Sequence, residues 1–319
     1  MSEHVVASGD AAGLKTVIET TAVAGDKVIV PRGAYDFSGI GKVTVNKELE
    51  IEGEGRLSTM SWGAAASHGF ELAGNVLLEN VKIRRLAFTA TFGSSNPLDG
   101  ISYLNDGGGG HLLRHLVVEE CLFSGWRNGL QLVGTTPNGL GQLVSVRGCE
   151  VVSSRVRGVR AEQLTLVHLD DCQVTSAGQN GVYFNECQGV KLTGNRVAGN
   201  NTLNGTTELG DAQVALAGCD AFAIFAHICD AMPSAGSATK KAIVISDCKG
   251  GETGGITIAP AAFFSDNYGV RLINGCTGIR MGAMGFTNIL VTNSLTFDPT
   301  CAPALLHAWT VSQHAVPRA

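Results

Sequence analysis

Three stretches of the sequence, LVVEECLF at 116–123, VSVRGCEV at 144–151 and VHLDDCQV at 167–174, share one pattern. In each, two apolar residues flank a variable one, two variable residues follow, and then come a cysteine, a variable residue and another residue that is apolar. The alternation is typical of a half-buried β-strand, and the cysteine marks the turn that ends it. A strand pattern that recurs at this short spacing predicts a solenoid.

The pattern continues toward the C-terminus as VKLTGNRV at 190–197, VALAGCDA at 214–221 and IVISDC at 243–248. Successive anchor residues are 28, 23, 23, 24, 29 and 28 residues apart. We therefore expect one inward-facing file of anchors, with one member per coil. The members of this predicted file are Cys121, Cys149, Cys172, Asn195, Cys219, Cys248 and Cys276.

The second half of the repeat distinguishes two kinds of solenoid. A leucine-rich repeat has a leucine eight residues before the Asn or Cys anchor, and only two of the seven copies have one there, Leu113 and Leu164. Second strand patterns follow the anchors instead, at 129–132, 158–161, 181–184 and 255–258. Two or three short strands per turn, joined at Gly, Asn and Ser corners, predict a parallel β-helix.

The stretch DKVIVPRGAYDFSGIGKVTVNKELEIEGE at 26–54 resembles the first coils of pectin-lyase-like right-handed β-helix proteins, of the kind found in phage tailspikes and polysaccharide lyases. The resemblance implies an all-β fold, a single-stranded right-handed parallel β-helix of about ten coils with a short N-terminal capping helix. Leu14, Val17, Ile18 and Thr21 share one face of the expected helix. We therefore expect a cap at 1–25, the β-helix at 26–297 and a C-terminal extension at 298–319 that contacts neighbouring subunits.

The composition excludes several classes of function. The 319 residues carry a net charge of −5, with 16% charged residues, so a nucleic-acid surface is not expected. No apolar run reaches the ~18 residues of a spanning helix, which predicts no membrane insertion. The start lacks a secretory signal and the sequence has nine cysteines, which together predict reduced thiols and cytoplasmic synthesis. The cysteines show no C-x-x-C spacing, and we expect neither a metal nor a cofactor.

Outward positions of the second strand place Gln131, Arg160 and Tyr183 on consecutive coils, with Trp126 nearby. Aromatic faces, amides and guanidinium groups along a parallel sheet suit an extended sugar chain. These four residues are therefore the predicted carbohydrate-binding residues. The same residue types are also enriched in subunit contacts, which is the alternative interpretation.

The carboxylate pairs Glu119-Glu120 and Asp170-Asp171 are weak catalytic candidates. Glycosidases use two carboxyl groups, one of them protonated. Arg147 is expected between the two pairs and would keep them ionised, so solvated turn residues are the alternative interpretation. Of the motifs of polygalacturonase-like β-helices, only the Asp170-Asp171 pair is present.

Three functions fit this sequence. The first is a phage tailspike-like or tail-fibre-like homotrimer on the virion surface, which contacts other virion proteins, binds host cell-surface polysaccharide and also cleaves it if it is an enzyme. The second is a free polysaccharide lyase or glycoside hydrolase. The third is a structural fibre or decoration subunit of a capsid or tail. Whether the protein is an enzyme is left open.

Overall fold

The chain winds into a right-handed parallel β-helix of ten coils in the computed structural model, which confirms the predicted fold. Each coil contributes one strand to each of three parallel sheets, which we call A, B and C in the order the chain visits them. The structure describes residues 1–63, 67–91, 98–105, 113–134, 143–200, 209–210, 212–231, 241–260, 268–282, 284–286, 293–301 and 305–306.

Within the described residues, sheet A has twelve strands and sheets B and C have ten each. The strands of sheet A are Glu3–Val5, Asp26–Val30, Leu49–Gly53, Val81–Arg84, His115–Glu119, Leu143–Arg147, Val167–Asp170, Lys191–Thr193, Asp220–Phe225, Lys249–Gly254, Thr277–Met281 and Leu305–Leu306. Those of sheet B are Gly33–Asp36, Ser58–Trp62, Ala87–Ala90, Leu122–Ser124, Glu150–Val152, Gln173–Thr175, Arg196–Ala198, Ile228–Ala231, Ile256–Pro260 and Met284–Phe286. Those of sheet C are Val43–Val45, Phe70–Leu72, Asp99–Leu104, Asn128–Val133, Arg157–Glu162, Val182–Asn185, Ala212–Ala217, Lys241–Ser246, Tyr268–Ile273 and Asn293–Phe297.

Alternate strand residues point into the coil and fill it, as the period-2 pattern requires. Aromatic side chains dominate the first coils. Phe37 stacks on Trp62 with ring centroids 4.7 Å apart, and Phe88 stacks on Phe123 at 5.0 Å. Since all four rings are buried, aromatic packing fills much of the interior of the first coils.

The N-terminal end of the core is covered by the α-helix Ala11–Thr16 and the π-helical turn Val17–Thr21 that continues it. Asp10 caps the helix by accepting a hydrogen bond from the Gly13 N–H at 2.8 Å. Leu14 and Ile18 are fully buried against the first coil, as predicted. Thr21 is exposed, because the wider π-helical turn rotates it off the face that the helical pattern assigned to it.

The anchor residues form two files, and this corrects the single file expected from the sequence. One file lies at the corner from sheet A to sheet B. There the backbone N–H of the residue after each anchor donates to the carbonyl of the anchor in the preceding coil, as Arg196 does to Cys172 and Ile228 does to Asn195. This file consists of Leu86, Cys121, Cys149, Cys172, Asn195, His227 and Ile256. The second lies at the corner from sheet C to sheet A and includes Leu164, Cys187, Cys219, Cys248 and Cys276.

The error has a simple cause, because the same strand-and-turn pattern occurs at both corners. In both files the residue before the anchor has a left-handed backbone, as Asp171 does before Cys172 and Glu186 does before Cys187. The stretch 214–221 therefore resembles 190–197 although its strand belongs to sheet C rather than to sheet A. For the same reason, the pattern at 255–258 resembles the strands at 129–132, 158–161 and 181–184, although it belongs to sheet B and they belong to sheet C.

Cysteine suits these corners because the thiol is small and donates a weak hydrogen bond. The Sγ atoms of Cys121, Cys149 and Cys172 each lie 3.3–3.4 Å from the carbonyl oxygen two residues earlier. All nine cysteines are free, and only Cys301 is not fully buried. Burial raises the pKa of the Cys149 thiol well above its usual value, so this thiol stays neutral.

Candidate functional site on the outer face of sheet C

The predicted file of outward side chains exists on sheet C. Strand register pairs Ser102 with Gln131, Gln131 with Arg160, and Arg160 with Tyr183. Gln131 is nearly buried, whereas Arg160 and Tyr183 are half-buried. The same file continues in later coils as the small apolar residues Ala215 and Val244. Ala215 and Val244 separate the polar residues up to Tyr183 from Arg271 and Thr296, which continue the file in the last coils.

A second polar file lies beside it, where the strands of sheet C begin, and consists of Asp99, Asn128, Arg157 and Asn180. Hydrogen bonds run along it from coil to coil. The Asn128 Nδ2 donates to Asp99 Oδ1 at 2.7 Å, the Arg157 backbone N–H donates to Asn128 Oδ1 at 3.1 Å, and the Arg157 Nε donates to Asn180 Oδ1 at 3.3 Å. The file is rigid, since each side chain is held by the next.

Glycine explains why the polar file can lie so close to the next coil. The residue after each polar one is Gly100, Gly129, Gly158 or Gly181. A Cβ on Gly129 would meet Val151 Cγ1 at 2.4 Å and the Gly158 carbonyl oxygen at 2.9 Å. These positions therefore exclude any side chain, and the strands of sheet C begin with a polar residue followed by glycine.

Asp99 is the most buried charge of the site. Its carboxylate accepts two bonds from Arg127, at 3.2 and 2.7 Å, and one from Asn128. The Nδ1 of His68 lies 3.3 Å from Asp99 Oδ2, within ion-pair distance but outside hydrogen-bond geometry. Burial raises the pKa of Asp99, but His68, Arg127 and Asn128 together outweigh burial and lower it, so the carboxylate is ionised.

Gln131 joins the two files. Its amide oxygen lies 3.0 Å from Asn128 Nδ2, 3.2 Å from Arg160 NH1 and 3.4 Å from Arg127 NH2. Arg160 in turn donates from Nε to Glu162 Oε1 at 2.8 Å. Gln131 therefore orients its neighbours and is too buried to be a principal contact for a ligand.

Arg157 stacks on Tyr183, with the guanidinium carbon 4.2 Å from the ring centroid. One face of the Tyr183 ring is thus already covered, and the ring also packs against an apolar cluster on the outer face, which consists of Ala212, Ala215, Val244 and Ile273. Burial lowers the pKa of Arg157, and the nearby Arg160 lowers it further. The predicted stacking of a sugar on Tyr183 must therefore be revised, because Arg157 occupies that position.

Trp126 is not on this face, which corrects the prediction that it contributes to carbohydrate binding. It is fully buried, its indole N–H donates to the Phe88 carbonyl at 3.1 Å, and it packs edge-on against Trp62. The reason is local: Trp126 lies at the corner between sheets B and C, where the chain turns and the residue points into the coil.

The carboxylate candidates lie elsewhere, where the strands of sheet A end. Glu119 and Asp170 align in register on either side of Arg147, as predicted, but neither forms an ion pair with it among the described residues. Glu119 pairs instead with Arg84 at 3.0 Å and lines a groove of about 220 Å³ together with Glu120. Glu120 and Asp171 are exposed turn residues with left-handed backbones. The structure does not bring these four carboxylates together with the polar files.

Several residues of the site were missed by sequence reasoning, namely His68, Asp99, Arg127, Asn128, Arg157 and Asn180. A signal for most of them was present, because Asp, Asn, Arg and Asn each precede a glycine and an apolar residue at 99–101, 128–130, 157–159 and 180–182. Within the described part of the chain, no three His, Cys, Asp or Glu side chains group as metal ligands. No helix there is long and apolar enough to cross a membrane.

No protein-family model and no curated protein sequence matches this chain. Its fold is similar to those of several solved structures. The enzymatically active domain of tailspike protein 2 from bacteriophage CBA120 superposes with a TM-score of 0.67 at 11% identity, over 98% of this chain and 47% of the tailspike chain. The chain thus spans about half the length of that tailspike structure.

Two bacterial proteins match over nearly their full length. The A-module of mannuronan C-5 epimerase AlgE4 from Azotobacter vinelandii has a TM-score of 0.58 at 13% identity, over 98% of this chain and 100% of the module. The DFA-IIIase of Arthrobacter chlorophenolicus A6, without its lid, has a TM-score of 0.54 at 12% identity, over 99% of both chains. At such identities the likeness defines the class of fold, the right-handed parallel β-helix, and nothing finer.

Proposed function

We propose that this protein binds an extended polysaccharide along the outer face of sheet C. The observation that carries the proposal is the pair of polar files that run over four consecutive coils. They consist of Asp99, Asn128, Arg157 and Asn180, and of Ser102, Gln131, Arg160 and Tyr183. Neighbouring strands are about 4.8 Å apart, so the files offer polar groups at regular intervals along a straight line. A linear ligand with repeated hydroxyl groups fits such an array.

The internal hydrogen bonds of the site favour binding over mere packing. Asn180 accepts a hydrogen bond from Arg157 and Gln131 accepts one from Arg160, so these two amides hold the arginines at the half-exposed edge. Side chains that are already fixed lose little conformational entropy when a glycan binds. Loss of conformational entropy is a main cost of such recognition, and preorganised donors reduce it.

We further propose that the protein is a tailspike-like homotrimer at the surface of a phage particle, where it contacts other virion proteins. The similarity of its fold to that of a phage tailspike supports this assignment. The division into 1–25, 26–297 and 298–319 belongs to the same proposal, with the last segment contacting neighbouring subunits. Of that segment the structure describes 298–301 and 305–306, where Leu305 and Leu306 pair with Arg280 and Met281.

Binding to a panel of capsular polysaccharides and lipopolysaccharides tests the proposal. Arg160→Ala should weaken binding at least tenfold with an unchanged melting temperature, because Arg160 is half-exposed and its loss leaves the core intact. Arg147→Ala is the matched control, since Arg147 is exposed on sheet A. Dissociation of the oligomer by Arg160→Ala would identify the face as a subunit interface, and no binding across the panel would favour a structural fibre or decoration subunit.

Cleavage of the bound glycan is a second candidate function, favoured by the His68–Asp99 pair. Asp99 is ionised and buried, and it faces the Nδ1 of His68, which leaves Nε2 free of any hydrogen bond among the described residues. A histidine beside an ionised carboxylate is a candidate general base. Shorter oligosaccharides from the wild type, and intact binding without shortening by His68→Asn, would establish an enzyme. Binding without shortening by the wild type would establish an adhesin.

A further inference from the structure

The three arginines of the site differ in how their charges are balanced. Arg127 is paired with Asp99, and Arg160 is paired with Glu162. Among the described residues, no carboxylate oxygen lies within 4.0 Å of the Arg157 guanidinium, and its one side-chain hydrogen bond is from Nε to Asn180. The NH1 and NH2 groups of Arg157 therefore have donors that no residue in the described part of the chain uses.

Arg157 is held in one orientation from two sides. Tyr183 lies against the face of its guanidinium, and Asn180 accepts from its Nε. Asn180 itself cannot move, since its Nδ2 donates to the carbonyls of Leu209 and Ala212 at 2.6 and 2.7 Å. The free edge of the guanidinium is thus fixed at the half-buried surface, and a fixed fork of two donors matches a carboxylate better than a hydroxyl.

The surroundings of Arg157 also penalise its charge. Burial removes water from the guanidinium, and Arg160 adds a second positive charge nearby. Both effects disfavour an unpaired cation, so an anion that reaches this position gains more than it would at an exposed arginine.

We propose, on the basis of the function proposed above, that the site selects polysaccharides that carry a carboxylate on a sugar residue, and that Arg157 binds this carboxylate. Tyr183 acts as a positioning residue, because it contacts the guanidinium rather than the sugar. Arg160, which Gln131 orients, then contacts a neighbouring hydroxyl group along the same chain.

Matched pairs of polysaccharides test this inference without any variant. Alginate, polygalacturonate and hyaluronan are each compared with their carboxyl-reduced derivatives, which keep the linkages and lose the charge. The wild type should bind at least one of the acidic polymers about 10- to 100-fold more tightly than its reduced form, as expected for a charge-assisted bidentate contact. Equal binding of both forms would overturn the inference and leave the proposed function standing, whereas no binding of any polymer would overturn both.

Variants then assign the carboxylate contact to one residue. Arg157→Gln should weaken binding of the acidic form far more than binding of the reduced form and so remove the preference, and Arg157→Lys should restore only part of that preference because an ammonium lacks the fork. Arg147→Gln, on another sheet, controls for overall charge. An equal loss on both forms with Arg157→Gln would indicate a merely structural role and would overturn the assignment.

Discussion

Asn195 and Cys172 lie in neighbouring coils of the same file, and the Oδ1 of Asn195 accepts a hydrogen bond from the Cys172 backbone N–H at 2.9 Å. The Nδ2 of Asn195 donates to the Leu169 carbonyl at 2.6 Å. A polar residue thus replaces a thiol inside the solenoid without leaving its own amide unpaired. The coil depends on this one side chain to satisfy backbone groups that no water reaches.

Asn195→Ala should therefore lower the free energy of unfolding by about 2–3 kcal/mol, because it leaves a buried N–H without its acceptor. Urea unfolding measures the effect. Asn195→Cys is the control, since cysteine occupies the equivalent position of the preceding coils and its sulfur is a weak acceptor. Equal losses for the two variants would show that the amide contributes no more than a thiol does.

Gly129→Ala should destabilise the protein by about 1–3 kcal/mol, since its Cβ would overlap Val151 and the carbonyl of the next coil. Thermal melting is the measurement. Gly39→Ala provides the comparison, because nothing lies within 4 Å of a Cβ at that position and no shift beyond about 0.5 kcal/mol is expected. Similar melting temperatures for the two variants would contradict the close approach of the coils in sheet C.

The burial of His227 predicts that the protein loses stability in mild acid. It is fully buried, neither ring nitrogen has a partner among the described residues, and burial lowers its pKa from 6.5 to about 4. The unfolded chain binds a proton below pH 6.5 while the folded one does not until about pH 4, so stability falls as the pH drops through this window, by roughly 3 kcal/mol in total. Unfolding of His227→Leu between pH 7 and 4 should lack this component, and an identical pH dependence in both proteins would refute the assignment.

The accessibility of the thiol group should distinguish Cys301 from the other cysteines. A thiol reagent should label Cys301 in the native protein, because the other eight cysteines are buried and burial keeps thiols such as Cys149 protonated. All nine should react in denaturant. Rapid labelling of several thiols under native conditions would show that the corners open, and Cys301→Ser should abolish the native signal if they do not.

Much of the fold follows from the sequence, because strand alternation and a residue anchored at each corner leave few other solutions. The register of Gln131, Arg160 and Tyr183 was predictable for the same reason, since parallel strands of equal length align their outward positions. The two files of cysteines were not separable, because both corners use a left-handed residue followed by a small buried one. Nothing in the local pattern distinguishes the corner at Cys172 from the corner at Cys187.

The site itself was predictable only in part. Trp126 was misplaced because alternation does not extend through a corner, where side chains follow the turn rather than the strand. Asp99, Asn128 and Arg157 precede glycines in a recurring context, yet their pairing with His68, Arg127 and Asn180 depends on contacts between coils that a single strand does not encode. The unbalanced charge of Arg157 emerges only when the partners of all three arginines are known.

The glycine after each polar residue has a consequence for how this surface could change over time. Since four consecutive coils carry the same polar–glycine–apolar unit and each coil meets only the coils beside it, duplication or deletion of one of these turns would lengthen or shorten the binding track by a single step. The reach of the protein along its ligand could thus be adjusted by whole-repeat gain or loss, independently of the chemistry at any one position.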